Sequence, residues 1–129
     1  MRCKKEDLPV ALNVPGAVMS RAMEWGDMTV VHARFSAGAD ASPLLAGLPG
    51  DKCGCPHWGV VLTGAVHVTY GDGSQEISLA GEVFYWPAPH TVRFEVDTEI
   101  LEFSPRAGLR SVYEHIGRKL GQVPFPVKS

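Results

Sequence analysis

Three absences narrow the reading of this chain before any motif is considered. Charge of neither sign is in excess: 12 Lys and Arg stand against 14 Asp and Glu, a net charge of -2. No basic cluster is long enough to follow a phosphate backbone, so no nucleic-acid partner is expected. No apolar run approaches the roughly 18 residues of a membrane span, and Met1-Arg2-Cys3-Lys4-Lys5-Glu6-Asp7 leads into no signal-peptide core. No membrane partner is expected, and the expected compartment is cytoplasmic and reducing. Cysteine is scarce as well: the chain has three, which cannot all pair. In a reducing compartment thiols serve more often as ligands or reactive groups than as cross-links. Two catalytic devices are also missing. Gly71-Asp72-Gly73 has neither the lysine nor the following helix of a phosphate loop, and no serine sits in a nucleophile elbow.

What remains is a β-rich globular chain. Its 129 residues (1–129) are expected to form one domain, burying roughly two thirds of the unfolded surface. Fourteen glycines and ten prolines imply many turns and therefore many short strands. Met28 to Phe35 reads as a strand ended by Ser36-Ala37-Gly38, and His57 to Leu62 reads as another, turned by Gly64 into Ala65 to Tyr70. In that segment Val66 and Val68 form a one-sided apolar face. Gly71-Asp72-Gly73-Ser74 predicts a hairpin into Gln75 to Leu79. Val83 to Trp86, Thr91 to Val96 and Glu99 to Phe103 complete seven or eight strands, with Asp97-Thr98 as a turn. Such spacing predicts a sandwich or barrel. Residues 37 to 52, with Leu44, Leu45 and Leu48, read as a connection able to fold over a pocket mouth. The period then changes. Ser104 as cap and Pro105 at the first position predict a helix over about 105–120, with Leu109, Val112, Tyr113, Ile116 and Leu120 on one stripe and Gly121 as its stop.

Chemistry concentrates in Cys53-Gly54-Cys55-Pro56-His57-Trp58-Gly59. In an extended strand, residues 53, 55 and 57 project to one side. Thiolates and imidazoles are preferred ligands of zinc, iron, nickel and copper, so the candidate metal ligands are Cys53, Cys55 and His57, with His90 supplying a second imidazole. At least one of the two cysteines is expected to join His57 and His90. The other histidines read differently: His67 outward on its strand, His32 in the core, His115 on the helix. Trp25, Trp58, Tyr85 and Trp86 read as pocket wall or core.

The strands and two glycine-anchored motifs resemble the cupin superfamily over about residues 28 to 104. That family's first motif pairs two histidines with a glutamate seven residues before a glycine. Here Gly64 follows the Val60-Val61-Leu62 run, and His57 stands seven residues before it. The second motif is a glycine, five residues, a proline and a nearby histidine, which Gly81, Pro87 and His90 match. The cysteine motif with the later Pro87-Ala88-Pro89-His90 is similar to a group of small, RmlC-like, single-domain bacterial cupins with a C-terminal helix. The resemblance implies an all-β double-stranded β-helix (a jelly-roll barrel) followed by one C-terminal α-helix. It further implies a small-molecule ligand in the barrel and a homodimer paired through the N-terminal segment and outer sheet.

The chain departs from the family pattern at its ligands. The usual His-x-His is absent, its positions falling near Asp51 and Cys53, and the glutamate position holds His57. His90 follows Pro87 by three residues where five is commoner. The altered set (Cys53, Cys55, His57, His90) is softer and favours tetrahedral zinc, with iron or nickel as alternatives. Two functions compete on this reading. One is a metal-dependent enzyme of dioxygenase, isomerase or hydrolase type, with residues 37 to 52 as lid and Asp40, Asp51, Tyr85 and Glu102 as polar groups in reserve. The other is a ligand-binding or sensing barrel with a structural metal. An open coordination position facing a cavity separates the two.

Overall fold

Strand alternation decides which side chains enter the core, and backbone pairing decides which of them meet. In the computed structural model, which describes residues 1–126, nine strands form two antiparallel sheets among the described residues. The strands are β1 (Val10–Val14), β2 (Val18–Trp25), β3 (Met28–Phe35), β4 (His57–Thr63), β5 (Ala65–Tyr70), β6 (Gln75–Leu79), β7 (Val83–Trp86), β8 (His90–Arg93) and β9 (Thr98–Pro105). The larger sheet runs β1-β2-β3-β9-β4-β7 and the smaller β6-β5-β8. A short helix α1 (Ser42–Leu45) lies in the connection after β3, and α2 (Arg106–Leu120) follows β9. Core side chains come from both sheets: Val31, Val61 and Ile100 from the larger, Val66 and Val68 from the smaller, all essentially solvent-free.

Several expectations hold and some shift. The strands from Met28, Ala65, Gln75 and Val83 run as expected, and Val66 and Val68 face inward. Strands β1 and β2 lie outside the expected barrel of 28 to 104, yet they extend the large sheet and bury Ala11, Leu12 and Ala22. The strand expected over Thr91 to Val96 ends at Arg93. Beyond it the chain bonds instead to the preceding connection, Gly38 N–H donating to Phe94 O and Phe94 N–H to Ala39 O. Thr98, expected in a turn, opens β9. Helix α2 begins at Arg106 with no side-chain cap, because the Ser104 hydroxyl is engaged inside the barrel. Gly121 ends it in the left-handed conformation, as expected.

Helix α2 lies across one end of the barrel with Leu109, Val112 and Ile116 buried. Side chains fasten it there. Arg106 and Arg110 bond Glu24 on β2, and Gln122 exchanges two hydrogen bonds with the backbone of Asn13 on β1 (2.9 and 2.7 Å). His115 Nε2 donates to Ala46 O (2.9 Å) and Lys119 Nζ to Pro43 O (2.9 Å), which binds the α1 segment to the helix. Residues 37 to 52 therefore form a cover anchored from outside.

Gly59 sets the spacing between β4, β7 and β9. A Cβ there would strike the Leu101 carbonyl and come within 2.8 Å of both Glu102 Cα and Phe84 Cζ. Two of those atoms are backbone and cannot swing aside. Gly59→Ala is expected to destabilise the fold by about 3 kcal/mol or more, read as a lowered midpoint in urea unfolding.

Candidate metal centre

Cys53, His57 and His90 bring their ligand atoms within 4.8 Å of one another, and all three residues are buried. Backbone pairing explains the meeting. Cys53 and His90 form an isolated antiparallel bridge, Cys53 N–H donating to His90 O (2.8 Å) and His90 N–H to Cys53 O (3.2 Å). Directly paired residues in an antiparallel bridge share a face, so the thiol and the imidazole lie side by side. His57 enters from the start of β4, opposite Trp86 of β7, and its Nε2 is 3.5 Å from Cys53 Sγ.

Cys55 contacts the His57 ring but lies outside the set of ligand atoms that come within 4.8 Å of one another. The chain bends at Gly54-Cys55-Pro56 instead of running as a strand, so the alternation expected over 53, 55 and 57 is broken. The Cys55 thiol faces the Pro56 and Pro105 carbonyls (3.4 and 3.9 Å) and the start of α2 at Gly108.

Both imidazoles are oriented from behind. His57 Nδ1 lies 2.7 Å from Glu102 Oε2 and 2.6 Å from Ser104 Oγ, and Ser104 Oγ–H donates to the same carboxylate (3.1 Å). Sheet register produces this contact: Gly59 opposes Glu102 and Trp58 opposes Phe103, which leaves His57 opposite Ser104. His90 Nδ1 donates to Pro87 O (3.1 Å). With each Nδ1 committed to a protein acceptor, each Nε2 is the atom left for a ligand role.

The electrostatics are strongly coupled. Burial opposes charge on Glu102, but the His57 imidazole beside it holds its carboxyl below the usual range. Burial likewise opposes a charged His57, and the Glu102 carboxylate outweighs it, pushing the imidazole well above its usual value. Burial would raise the Cys53 thiol, but hydrogen bonds from His57 and His90 bring it down to about 6.

A cavity of about 110 Å³ opens beside these three residues. Trp86 and Phe94 wall it from the sheets, Leu44 and Leu45 from the α1 segment, and Leu109 and Val112 from α2. Of the polar groups held in reserve, Glu102 and Asp40 line it. Asp51 instead accepts from Gly47 N–H (2.9 Å) in its own loop, and Tyr85 stacks on Trp58 (5.0 Å) on the outer face of the sheet. Only Trp86 of the four aromatic residues read as wall or core lines the cavity. His32 is buried beside Glu99 (2.7 Å), His67 lies near Glu95 (3.6 Å) and His115 holds the α1 segment. Ser104, read as a helix cap, is the site residue that sequence reasoning misplaced. Its inward parity, shared with Glu102 two residues earlier on β9, was the available signal.

No protein-family model matches the chain, and no curated protein matches it. Solved structures do. A RmlC-like cupin from Shewanella frigidimarina superposes with a TM-score of 0.57 at 16% identity, over 78% of this chain and 85% of that one. KdgF from Halomonas sp. gives 0.53 at 24% identity, over 74% and 84%. The Bacillus subtilis oxalate decarboxylase, a protein with Mn(II) centres, gives 0.56 at 17% identity, over 78% of this chain and 28% of that one. The chain has the cupin fold: an all-β jelly roll of two antiparallel sheets with a C-terminal helix.

The lowered thiol makes a testable statement about pH. A thiol whose folded value lies below its ordinary 9.0 stabilises the fold fully above pH 9, and loses that contribution as pH falls through about 6. In metal-free protein the thiolate absorbance near 240 nm is expected to rise with a midpoint near pH 6. Cys53→Ser removes that step and His57→Ala moves it upward. A single step at an ordinary thiol value in the parent protein would contradict the coupling.

Proposed function

We propose that this chain is a metal-dependent enzyme acting on a small organic molecule inside the barrel, with one divalent transition metal, zinc favoured, held by Cys53, His57 and His90. The observation that carries this reading is the convergence of one thiol and two pre-oriented imidazoles on the wall of a cavity. The spacing suits the ion. Zn–S and Zn–N bonds of about 2.3 and 2.0–2.1 Å put tetrahedral S and N ligands about 3.6 Å apart, and Cys53 Sγ to His57 Nε2 is 3.5 Å. Glu102 behind His57 matches the carboxylate–histidine support common behind metal ligands.

Three protein ligands are the number typical of catalytic zinc sites, which keep a fourth position for water or substrate. A closed structural site would need Cys55, whose thiol reaches the His57 ring but packs against the start of α2 and stands outside the three converging donors. That contrast favours the enzyme over the binding barrel. When bound, such a metal supplies Lewis-acid polarisation and an acidified water. The chain's own contribution is orientation and exclusion of solvent. Glu102 and Ser104 fix the His57 ring, Pro87 O fixes His90, and the α1 segment and α2 cover the cavity.

Elemental analysis of protein purified without chelators tests the site. About one zinc, iron or nickel per chain is expected, lost in Cys53→Ser and His57→Ala and retained in Cys55→Ser. Glu102→Gln is expected to weaken binding by about 10–100-fold. No uptake of any of these ions by the parent protein would overturn the reading.

The same reading includes a homodimer formed through the outer face of the large sheet. Trp58, Tyr85, Phe103 and Val83 expose apolar surface together there, Val83 at 83%. Trp58 pairs in register with both Tyr85 and Phe103, which makes the patch continuous across three strands. Continuous exposed apolar patches of this kind mark association surfaces. Light scattering is expected to give twice the chain mass for the parent protein and the monomer mass for Trp58→Arg; a monomeric parent would refute the dimer.

A further inference from the structure

We propose that the cavity takes an uncharged, short-chain molecule of about four to six non-hydrogen atoms, whose oxygen accepts a hydrogen bond from the Ser20–Tyr113 hydroxyl pair. The inference rests on the proposed function only in treating this cavity as the working site, and it does not depend on the metal.

Size comes first. An apolar cavity of 150 Å³ accommodates benzene, and this one measures about 110 Å³. Charge comes second. No lysine or arginine lines the cavity, whereas Glu102, Asp40 and Cys53 do. A carboxylate ligand would be buried against Glu102 and the Cys53 sulfur, and the two imidazoles on the wall already bond Glu102, Ser104 and Pro87 O through Nδ1, an arrangement that costs heavily on burial. The remaining wall is mostly aliphatic and aromatic, suited to a short hydrocarbon body.

Polarity comes third. Ser20 on β2 is buried, and its hydroxyl lies 2.6 Å from that of Tyr113 on α2. Both residues line the cavity. Two hydroxyls carry two hydrogens, and their mutual bond uses one. Neither side chain bonds any other group among the described residues, so the pair retains one donor hydrogen. Burial, reinforced by the negative charge of Glu102, pushes the Tyr113 phenol upward and keeps it protonated. A buried donor left unsatisfied costs free energy, which a ligand oxygen would recover. Helix α2 thereby becomes a specificity element: Leu109 and Val112 set the length of the chamber and Tyr113 its polarity.

The test is an NMR titration of amide shifts around the cavity with straight-chain primary alcohols from ethanol to hexanol. Butanoate and butylammonium serve as charged controls and 1-chlorobutane as the isostere without a hydroxyl. Metal-free and zinc-treated samples are run in parallel, with zinc content measured separately. An affinity maximum between propanol and pentanol is expected, with hexanol at least fivefold weaker than butanol and, in the metal-free sample, both ions at least tenfold weaker. Ser20→Ala combined with Tyr113→Phe removes both hydroxyls and is expected to weaken butanol about fivefold while leaving 1-chlorobutane unchanged, which also shows that the variant cavity is intact; either hydroxyl alone still carries one hydrogen for the ligand. Val112→Ala is expected to move the maximum to a longer alcohol. No alcohol binding, no length maximum, butanoate as tight as butanol in the metal-free sample, or equal loss of butanol and chlorobutane in the Ser20→Ala, Tyr113→Phe double variant would each overturn the proposal. The same alcohol pattern in a protein that takes up no zinc would sink the metal reading and leave this inference standing. Zinc uptake without alcohol binding would do the reverse.

Discussion

A carboxylate buried in the barrel, Glu102, is the constraint on which the rest of the site depends. An isolated charge there would be prohibitive, so its oxygens must be met by donors. His57 and Ser104 meet them at 2.7 and 3.1 Å. That requirement fixes the His57 ring, its tautomer and the face it turns toward Cys53. It also explains why Ser104 is unavailable as a helix cap and why α2 starts without one. Register supplies the meeting, and Gly59 lets β4 and β9 approach closely enough for it. A single glycine in a strand thus conditions the electrostatics two residues away.

Around this pair the two sheets and α2 divide the labour. The large sheet contributes His57, Glu102 and Ser104, while His90 comes from the first position of β8 in the small sheet. Cys53 belongs to neither sheet and is held by its backbone bridge to His90. The donor cluster therefore spans the gap between the sheets, and only a closed jelly roll brings its members together. The helix closes the remaining opening. Its basic residues bond Glu24 on β2 and the backbone of the α1 segment, leaving its apolar stripe to face the cavity.

Much of this was legible in the sequence, because local periodicity and turn chemistry carry it. Alternation in Ala65 to Tyr70, the Gly71 to Ser74 hairpin and the apolar stripe of α2 are short-range signals, and each appears in the fold. Cys53, His57 and His90 were likewise visible as soft donor side chains close to glycine-anchored turns, and the fold brings the three together. What stayed hidden was long-range. The reading of Cys55 assumed an extended chain through Pro56, and a bend there turns its thiol toward α2. The pairing of His57 with Ser104 and Glu102 depends on β4–β9 register, which no local pattern encodes. Ser20 and Tyr113 are 93 residues apart and meet only when the helix folds back across β2.

The charge balance of the site supplies a separate argument for the ion. With Cys53 ionised and Glu102 a carboxylate, two negative charges lie within a buried region whose wall holds no lysine or arginine. A protonated His57 offsets one of them, leaving a net negative charge in an apolar cavity, an expensive arrangement. A divalent cation held by Cys53, His57 and His90 would offset these negative charges. Against burial, the Glu102 carboxylate raises His57, and hydrogen bonds from the two imidazoles lower Cys53, so thiol, imidazole and carboxylate behave as one coupled group. A thiol, two imidazoles and a carboxylate around one cavity cost more to bury than valine and leucine would, and clusters of coupled, buried ionisable groups of this kind concentrate at functional sites.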